Sequence, residues 1–152
     1  MSVVNVPLTA GKQYSLRGDQ TAGFSTHWAR SCTAVVTAYG ELDAANARQF
    51  AEYAVGHISH SKELILDLMA VGFFAISCFP ALHNLNMRCG REGVGWVLIP
   101  SPAVARVLRV CDLDGQLPIE ATVATALSAL RSRRITGSIT AAEASPDAFF
   151  AV

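Results

Sequence analysis

Glu63 to Phe79, ELILDLMAVGFFAISCF, constrains the fold more than any other stretch of the chain. Its first half, Leu64 to Val71, is an apolar run rich in branched aliphatics with one acid, Asp67. A run of that length and type predicts a strand buried on both faces. Gly72 is expected to break the strand. Phe73 and Phe74 follow, then Ser77, then Pro80 and a helical pattern. The unit is therefore strand, turn and helix, with a serine hydroxyl at the helix start.

The segments around it repeat the alternation. Phe24 to Trp28 and Cys32 to Tyr39 predict strands, the second through Val35, Val36 and Thr37. Ala47, Phe50, Ala51, Ala54, Val55 and Ile58 recur at helical spacing, with Asn46 or Asp43 expected to cap that helix. A second helix runs from the Ser77 turn to about Cys89 and ends at Gly90 and Gly93. Val94 to Ile99 predicts a buried strand, and Ser101 with Pro102 opens a third helix bearing Val104, Val107, Leu108 and Cys111. Leu117 to Glu120 predicts a short strand, and Thr122 caps a last helix with Val123, Ala126, Leu127 and Leu130 inward. Helices alternating with short buried strands predict an α/β domain with a mixed sheet packed by about four helices.

The ends fit this pattern less well. Residues 1–23 read as an N-terminal extension or an edge strand near Gln13 to Leu16. From Arg131 the period fails after a small basic cluster, Arg131, Arg133 and Arg134, so residues 131–152 read as a loosely held tail.

Composition excludes several classes. Twelve basic and twelve acidic residues balance, whereas a nucleic-acid binder carries a basic excess. Cys32, Cys78, Cys89 and Cys111 form no CxxC pair and read as thiols in a reducing compartment, which predicts a cytoplasmic protein. No secretory leader pattern opens the chain. Leu64 to Leu82 is apolar enough to raise a membrane reading, but Asp67, Gly72 and Pro80 interrupt it.

No catalytic set assembles. The Gly90, Gly93, Gly95 cluster lies between a helix and a strand, the reverse of a dinucleotide-binding turn. His57 and His60 have zinc-like spacing but no second ligand pair, and read as a solvated helix end. Cys78 and His83 sit five apart, off a common helix face. Glu41 and Asp43 could serve acid–base chemistry at a strand end, with turn and cap as their plainer role. We expect no enzyme, cofactor or metal. Ser77 carries two readings, a helix cap or a phosphorylation site whose charge would break an apolar contact.

Three motifs, in this order and spacing, resemble the STAS domain family of anti-sigma factor antagonists. Gly40-Glu41-Leu42-Asp43 with Asn46-Ala47 is similar to the family's G-x-L-D-x-x-T/N-A turn. Leu64 to Leu68 followed by Phe73 is similar to its strand leading into F-x-D-S-S-G. Val97 to Pro102, with Val104 and Leu108, is similar to its later strand and helix. The likeness covers about Phe24 to Leu130. It implies a STAS-type single domain that binds an anti-sigma factor of kinase fold, which phosphorylates a serine and so ends the contact. Laid on this chain, the phosphorylated serine is Ser77. The acid, first serine and glycine of the motif are Ala75, Ile76 and Cys78 here. The resemblance implies docking through Glu41, Asp43, Asn46, Phe73, Phe74, Ala75, Ile76 and Ser77, without direct contact to nucleic acid or membrane. The alternative is a small-ligand or nucleotide sensor with an apolar pocket near Phe73, Phe74 and Trp96.

Overall fold

The computed structural model describes Tyr14–Ser15 and residues 22–143, with side chains from Ala22 to Arg134. The first strands are β1 (Tyr14–Ser15), β2 (Ala22–Arg30) and β3 (Thr33–Leu42). Helix α1 (Ala47–Val55) leads to β4 (Glu63–Phe74), and α2 (Phe79–Glu92) to β5 (Gly95–Pro100). Helices α3 (Pro102–Cys111) and α4 (Val123–Glu143) follow. One mixed sheet runs in the order β1-β2-β3-β4-β5. The β1–β2 and β2–β3 pairs are antiparallel; β3–β4 and β4–β5 are parallel.

β4, between β3 and β5, shows why both faces must be covered. Leu64, Leu66 and Leu68 point to one face, Ile65 to the other, and all four are fully buried. Each such side chain contributes about 1.5–3 kcal/mol by leaving water. The first face packs on α1, α2 and α3 through Phe50, Leu82, Leu85 and Val104. Among the described residues the second meets α4, where Val35, Ile65, Val97 and Ile99 close over Ala126 and Leu130.

Two caps fall where the sequence predicts them. Ser101 Oγ accepts from Val104 N at 3.2 Å, and Thr122 Oγ1 from Thr125 N at 3.0 Å. Gly93, at φ +70°, ends α2 in the left-handed conformation glycine adopts without strain, whereas Gly90 lies inside the helix.

Four expectations change. β4 does not break at Gly72 but runs on to Phe74. Its register with β3 slips by one residue between Thr37 and Tyr39 and again between Gly40 and Glu41. Each slip is a bulge that turns two successive residues outward, first Met69 and Ala70, then Gly72 and Phe73. Leu117–Glu120 is reduced to a single parallel bridge, Ile119 opposite Leu98, with Leu98 N donating to Pro118 O at 2.7 Å and Glu120 N to Leu98 O at 3.0 Å. The boundary expected after Leu130 falls inside α4, which continues to Glu143. His57 is buried rather than solvated, while His60 is exposed.

Candidate partner-docking site

The site is built where β3 and β4 end side by side. Parallel sheets offer the carboxyl ends of their strands to ligands, because the turns there join different helices. Glu41 lies opposite Phe73 and Leu42 opposite Phe74. The backbone then stitches the two exits together, Ala75 N donating to Leu42 O at 2.9 Å. The Cys78 thiol reaches Asp43 O at 3.4 Å. Residues that the sequence places over thirty positions apart thus form one surface.

The first turn is held by side chains. Asn46 Oδ1 accepts from Asp43 N, and Asn46 Nδ2 donates to Glu41 O, both at 2.9 Å. Asp43 Oδ1 accepts from Ala45 N at 2.9 Å, an Asx turn. Neither residue caps α1 by its side chain, contrary to the sequence expectation. Asn46 spends both its polar atoms, and Asp43 its Oδ1, on the loop itself. Asn46 is 3% exposed and shapes the surface from beneath.

The second turn presents the apolar groups. The bulge at Gly72 turns Phe73 outward, and it is 50% exposed; Ile76, on the next turn, is 62% exposed. Phe74 points the other way, is 4% exposed, and belongs to the core, so it holds the turn down. Ala75 is half-buried and Ser77 exposed. Ser77 sits in a single 3-10 turn, Ile76–Cys78, and does not cap α2. Pro80 delays that helix to Phe79 with Cys78 at its N-cap. No acid occupies the first turn of α2. A negative group on Ser77 would meet the positive helix end, with Asp43 of the joined turn as the carboxylate whose charge also reaches Cys78.

The alternative sensor pocket is not assembled. Trp96 pairs with Leu64 near the start of the sheet, donating Nε1–H to Asn86 Oδ1 at 2.8 Å. Phe74 ends the same strand ten residues later, roughly 30 Å away at the usual strand rise. Cys78 and His83 are also separated, the thiol buried and the imidazole exposed. Burial pushes the Cys78 thiol up, and the Cys89 thiol up to about 12, so both stay protonated near neutrality. Among the described residues no His, Cys, Asp and Glu group could hold a metal ion, and no helix is long and apolar enough to cross a membrane.

One polar cluster escaped sequence reasoning. His57 Nδ1–H donates to Tyr53 O at 2.9 Å, which leaves Nε2 of the neutral ring to accept from the Thr26 hydroxyl at 3.0 Å. Thr26 Oγ1 in turn accepts from the Tyr53 hydroxyl at 2.8 Å. Burial lowers the His57 pKa; the bond to Tyr53 O raises it and the charge of His60 lowers it further. Thr26 lies on β2, too distant in sequence for any local spacing to signal the contact.

A mixed α/β sheet carries two stitched turns at its parallel strand ends, one tied by polar side chains and one presenting apolar groups. The comparisons then give the family. Residues 29–126 match the STAS domain family. Osmosensory protein A of Mycobacterium tuberculosis is 34% identical over 107 residues, 70% of this chain and 64% of that protein. This chain thus spans less than two thirds of that relative's length. Anti-sigma-F factor antagonist RsfA of the same organism is 30% identical over 99 residues, 62% of this chain and 77% of that one. The fold matches the crystal structure of an anti-sigma factor antagonist from Mycobacterium paratuberculosis with a TM-score of 0.67 at 24% identity, over 76% of this chain and 99% of that one. The chain belongs to the STAS domain family.

Proposed function

We propose that this protein is a non-enzymatic, cytoplasmic regulator that docks on an anti-sigma factor of the serine-kinase type and thereby frees a sigma factor. The contact is made by the joined turns, with Glu41, Asp43, Phe73, Ala75, Ile76 and Ser77 at the surface and Asn46 and Phe74 supporting them. The observation that carries the reading is the position of Ser77, exposed beside Ile76 and in the same turn system as the outward Phe73. Apolar side chains of this size are common anchors in protein contacts. A phosphoryl group on Ser77 adds nearly two negative charges, which a desolvated apolar contact does not tolerate. Membership of the family and the likeness to an anti-sigma-F factor antagonist support the partner class.

The test pairs two variants. Ser77→Asp abolishes capture of the anti-sigma factor and Ser77→Ala retains it. Wild-type affinity in both would refute the phosphoswitch while leaving docking in place. Docking itself is refuted when a pull-down from the native cell, followed by phosphosite mapping, recovers no kinase-fold anti-sigma factor.

A further inference from the structure

The basic cluster at Arg131, Arg133 and Arg134 plays no part in the docking turns. α4 carries it to the opposite end of the sheet, where the parallel strands begin. There a cavity of about 710 Å³ opens between the β2–β3 hairpin, the starts of β4 and β5, and α4. Four cations from three separate parts of the chain line it: Arg30 at the end of β2, Lys62 before β4, and Arg133 and Arg134 on α4. The chain as a whole has a formal net charge of zero, so this convergence is a local property.

The carboxylates in the wall do not cancel it. Glu63 is 7% exposed and accepts from the Thr33 hydroxyl at 2.7 Å. It faces Arg30 at 3.7 Å and Arg134 at 3.5 Å, one acid between two guanidinium groups. Glu92, the other acid, is paired with Arg88, which lies outside the lining, at 3.1 Å. Among the described residues Arg133 donates to a neutral carbonyl, Trp96 O, at 3.2 Å and to no acid. Lys62 makes no side-chain hydrogen bond or ion pair among the described residues. Four cations therefore face two acids, and one of those acids is already engaged elsewhere.

We propose that this cavity binds a small anion carrying a diphosphate group. The volume lies within the range of small-molecule sites, about 300–1,000 Å³. Guanidinium groups present paired N–H donors that match phosphate oxygens, and a lysine supplies a mobile charge. Glu63 has a stated task in this site: it holds Arg30 and Arg134 at the cavity wall, where Arg30 Nη2 also donates to Leu127 O at 3.5 Å. The site lies at the start of β4, whereas the docking turns lie at its end, so the two readings stand or fall separately.

The experiment uses the full chain and inorganic pyrophosphate as the first probe. Cys32 lines the cavity and is exposed, while Cys78 and Cys89 are buried, so alkylation by N-ethylmaleimide reports on occupancy. Peptide mapping separates Cys32 from the half-buried Cys111. Saturating pyrophosphate is expected to slow Cys32 alkylation about tenfold, as mass action on an occluding ligand requires. Amide shifts are expected at Ser31 to Thr33, Lys62 and Gly93 to Gly95. The double variant Lys62→Ala, Arg133→Ala weakens binding roughly a hundredfold, since each removes one charge-assisted contact worth about tenfold. Raising salt weakens binding in the wild type and less so in the variant. The unfolding temperature of the variant is measured alongside, and these two surface side chains leave it close to wild type. Parallel titrations with ADP and GDP distinguish a nucleotide from free pyrophosphate: tighter binding assigns the nucleoside, equal binding the diphosphate alone. No protection and no shifts up to about 10 mM, a range far weaker than specific sites reach, would overturn the proposal. So would wild-type affinity in the double variant, or shifts confined to α2 and α3.

Discussion

The turn at Asp43–Asn46 is tied by polar side chains, while the turn at Ala75–Cys78 hangs on backbone bonds and one thiol. The first spends Asp43 and Asn46 on fixing its own shape. The second leaves Ile76 and Ser77 exposed and borrows its rigidity from the first, through Ala75 N to Leu42 O and Cys78 to Asp43 O. The difference separates two tasks. One turn is scaffold, and the other is free to vary its outward side chains, the ones our proposal gives to the partner contact. Ala75, Ile76 and Cys78 depart from the family pattern on the second turn, where side chains face outward or fill a local gap. Asp43 and Asn46 keep the pattern on the first, where a change would undo hydrogen bonds.

The largest expected effect falls on the residue that anchors the second turn to the core. Phe74→Ala empties a site that is 4% exposed and costs about 3–4 kcal/mol. For a domain of this size that lowers the unfolding temperature by roughly 10 °C. A cost near that of a surface change would show that the second turn is not anchored through β4.

The sheet, the helix order and the place of both turns follow from the sequence because each rests on local patterning. Leu64 to Leu68 is apolar on both faces, and Ser101 and Thr122 cap where capping residues precede helical periods. The end of β4 was hidden for a physical reason. Two bulges put pairs of residues outward, so the two-residue period fails although pairing continues. Gly72 then looks like a stop when it is one of the outward pair. The length of α4 was hidden in another way. Just beyond Leu130, Arg133 and Arg134 line the charged cavity instead of the apolar face of the sheet, so the hydrophobic period ends while the helix runs on to Glu143. The burial of His57 depends on Thr26 and Tyr53, and only tertiary contact brings Thr26 there.

The next effect tests the scaffold turn directly. Asn46→Ala removes the bonds to Asp43 N and Glu41 O from a buried position and costs about 2 kcal/mol in chemical unfolding. Asn46→Asp keeps the acceptor for Asp43 N and loses the donor, so it falls between. If Asn46→Ala leaves stability unchanged, the claim that side chains fix this turn fails. The same variant is expected to weaken the partner contact although Asn46 itself is covered, because Asp43 and Glu41 lose their positions.

Acid probes the same turn from the far end of α1. The folded state lowers the His57 pKa, so it prefers the neutral ring, while the unfolded chain keeps a value near 6.5. The stabilisation is fully present above pH 6.5 and is lost as pH falls from there through the folded value. Protonation adds a donor at Nε2, where Thr26 now donates, and the Thr26 hydroxyl must reverse. Unfolding midpoints measured from pH 8 to pH 5 therefore decline, and His57→Gln flattens the decline. Amide exchange in acid is expected to rise in α1 and the Asp43–Asn46 turn before it rises at Ile76–Cys78. A decline of equal slope in His57→Gln would assign the acid sensitivity to other groups.

The smallest effect on stability is expected at Phe73, and it sharpens the comparison most. Phe73 and Phe74 are neighbours in the chain and point to opposite sides, and the bulge at Gly72 decides that Phe74 is the buried one. Phe73 is 50% exposed, so Phe73→Ala should stay within about 0.5 kcal/mol of wild type. Its effect belongs to docking instead, where loss of an aromatic anchor commonly weakens a contact by tenfold or more, about 1.4 kcal/mol. Phe73→Ala and Phe74→Ala measured together, by unfolding and by affinity for the anti-sigma factor, give a crossed pattern when the register slip is real. Without the second slip the two-residue period would bury Phe73 beside Val71 and expose Phe74, and the stability costs would exchange places.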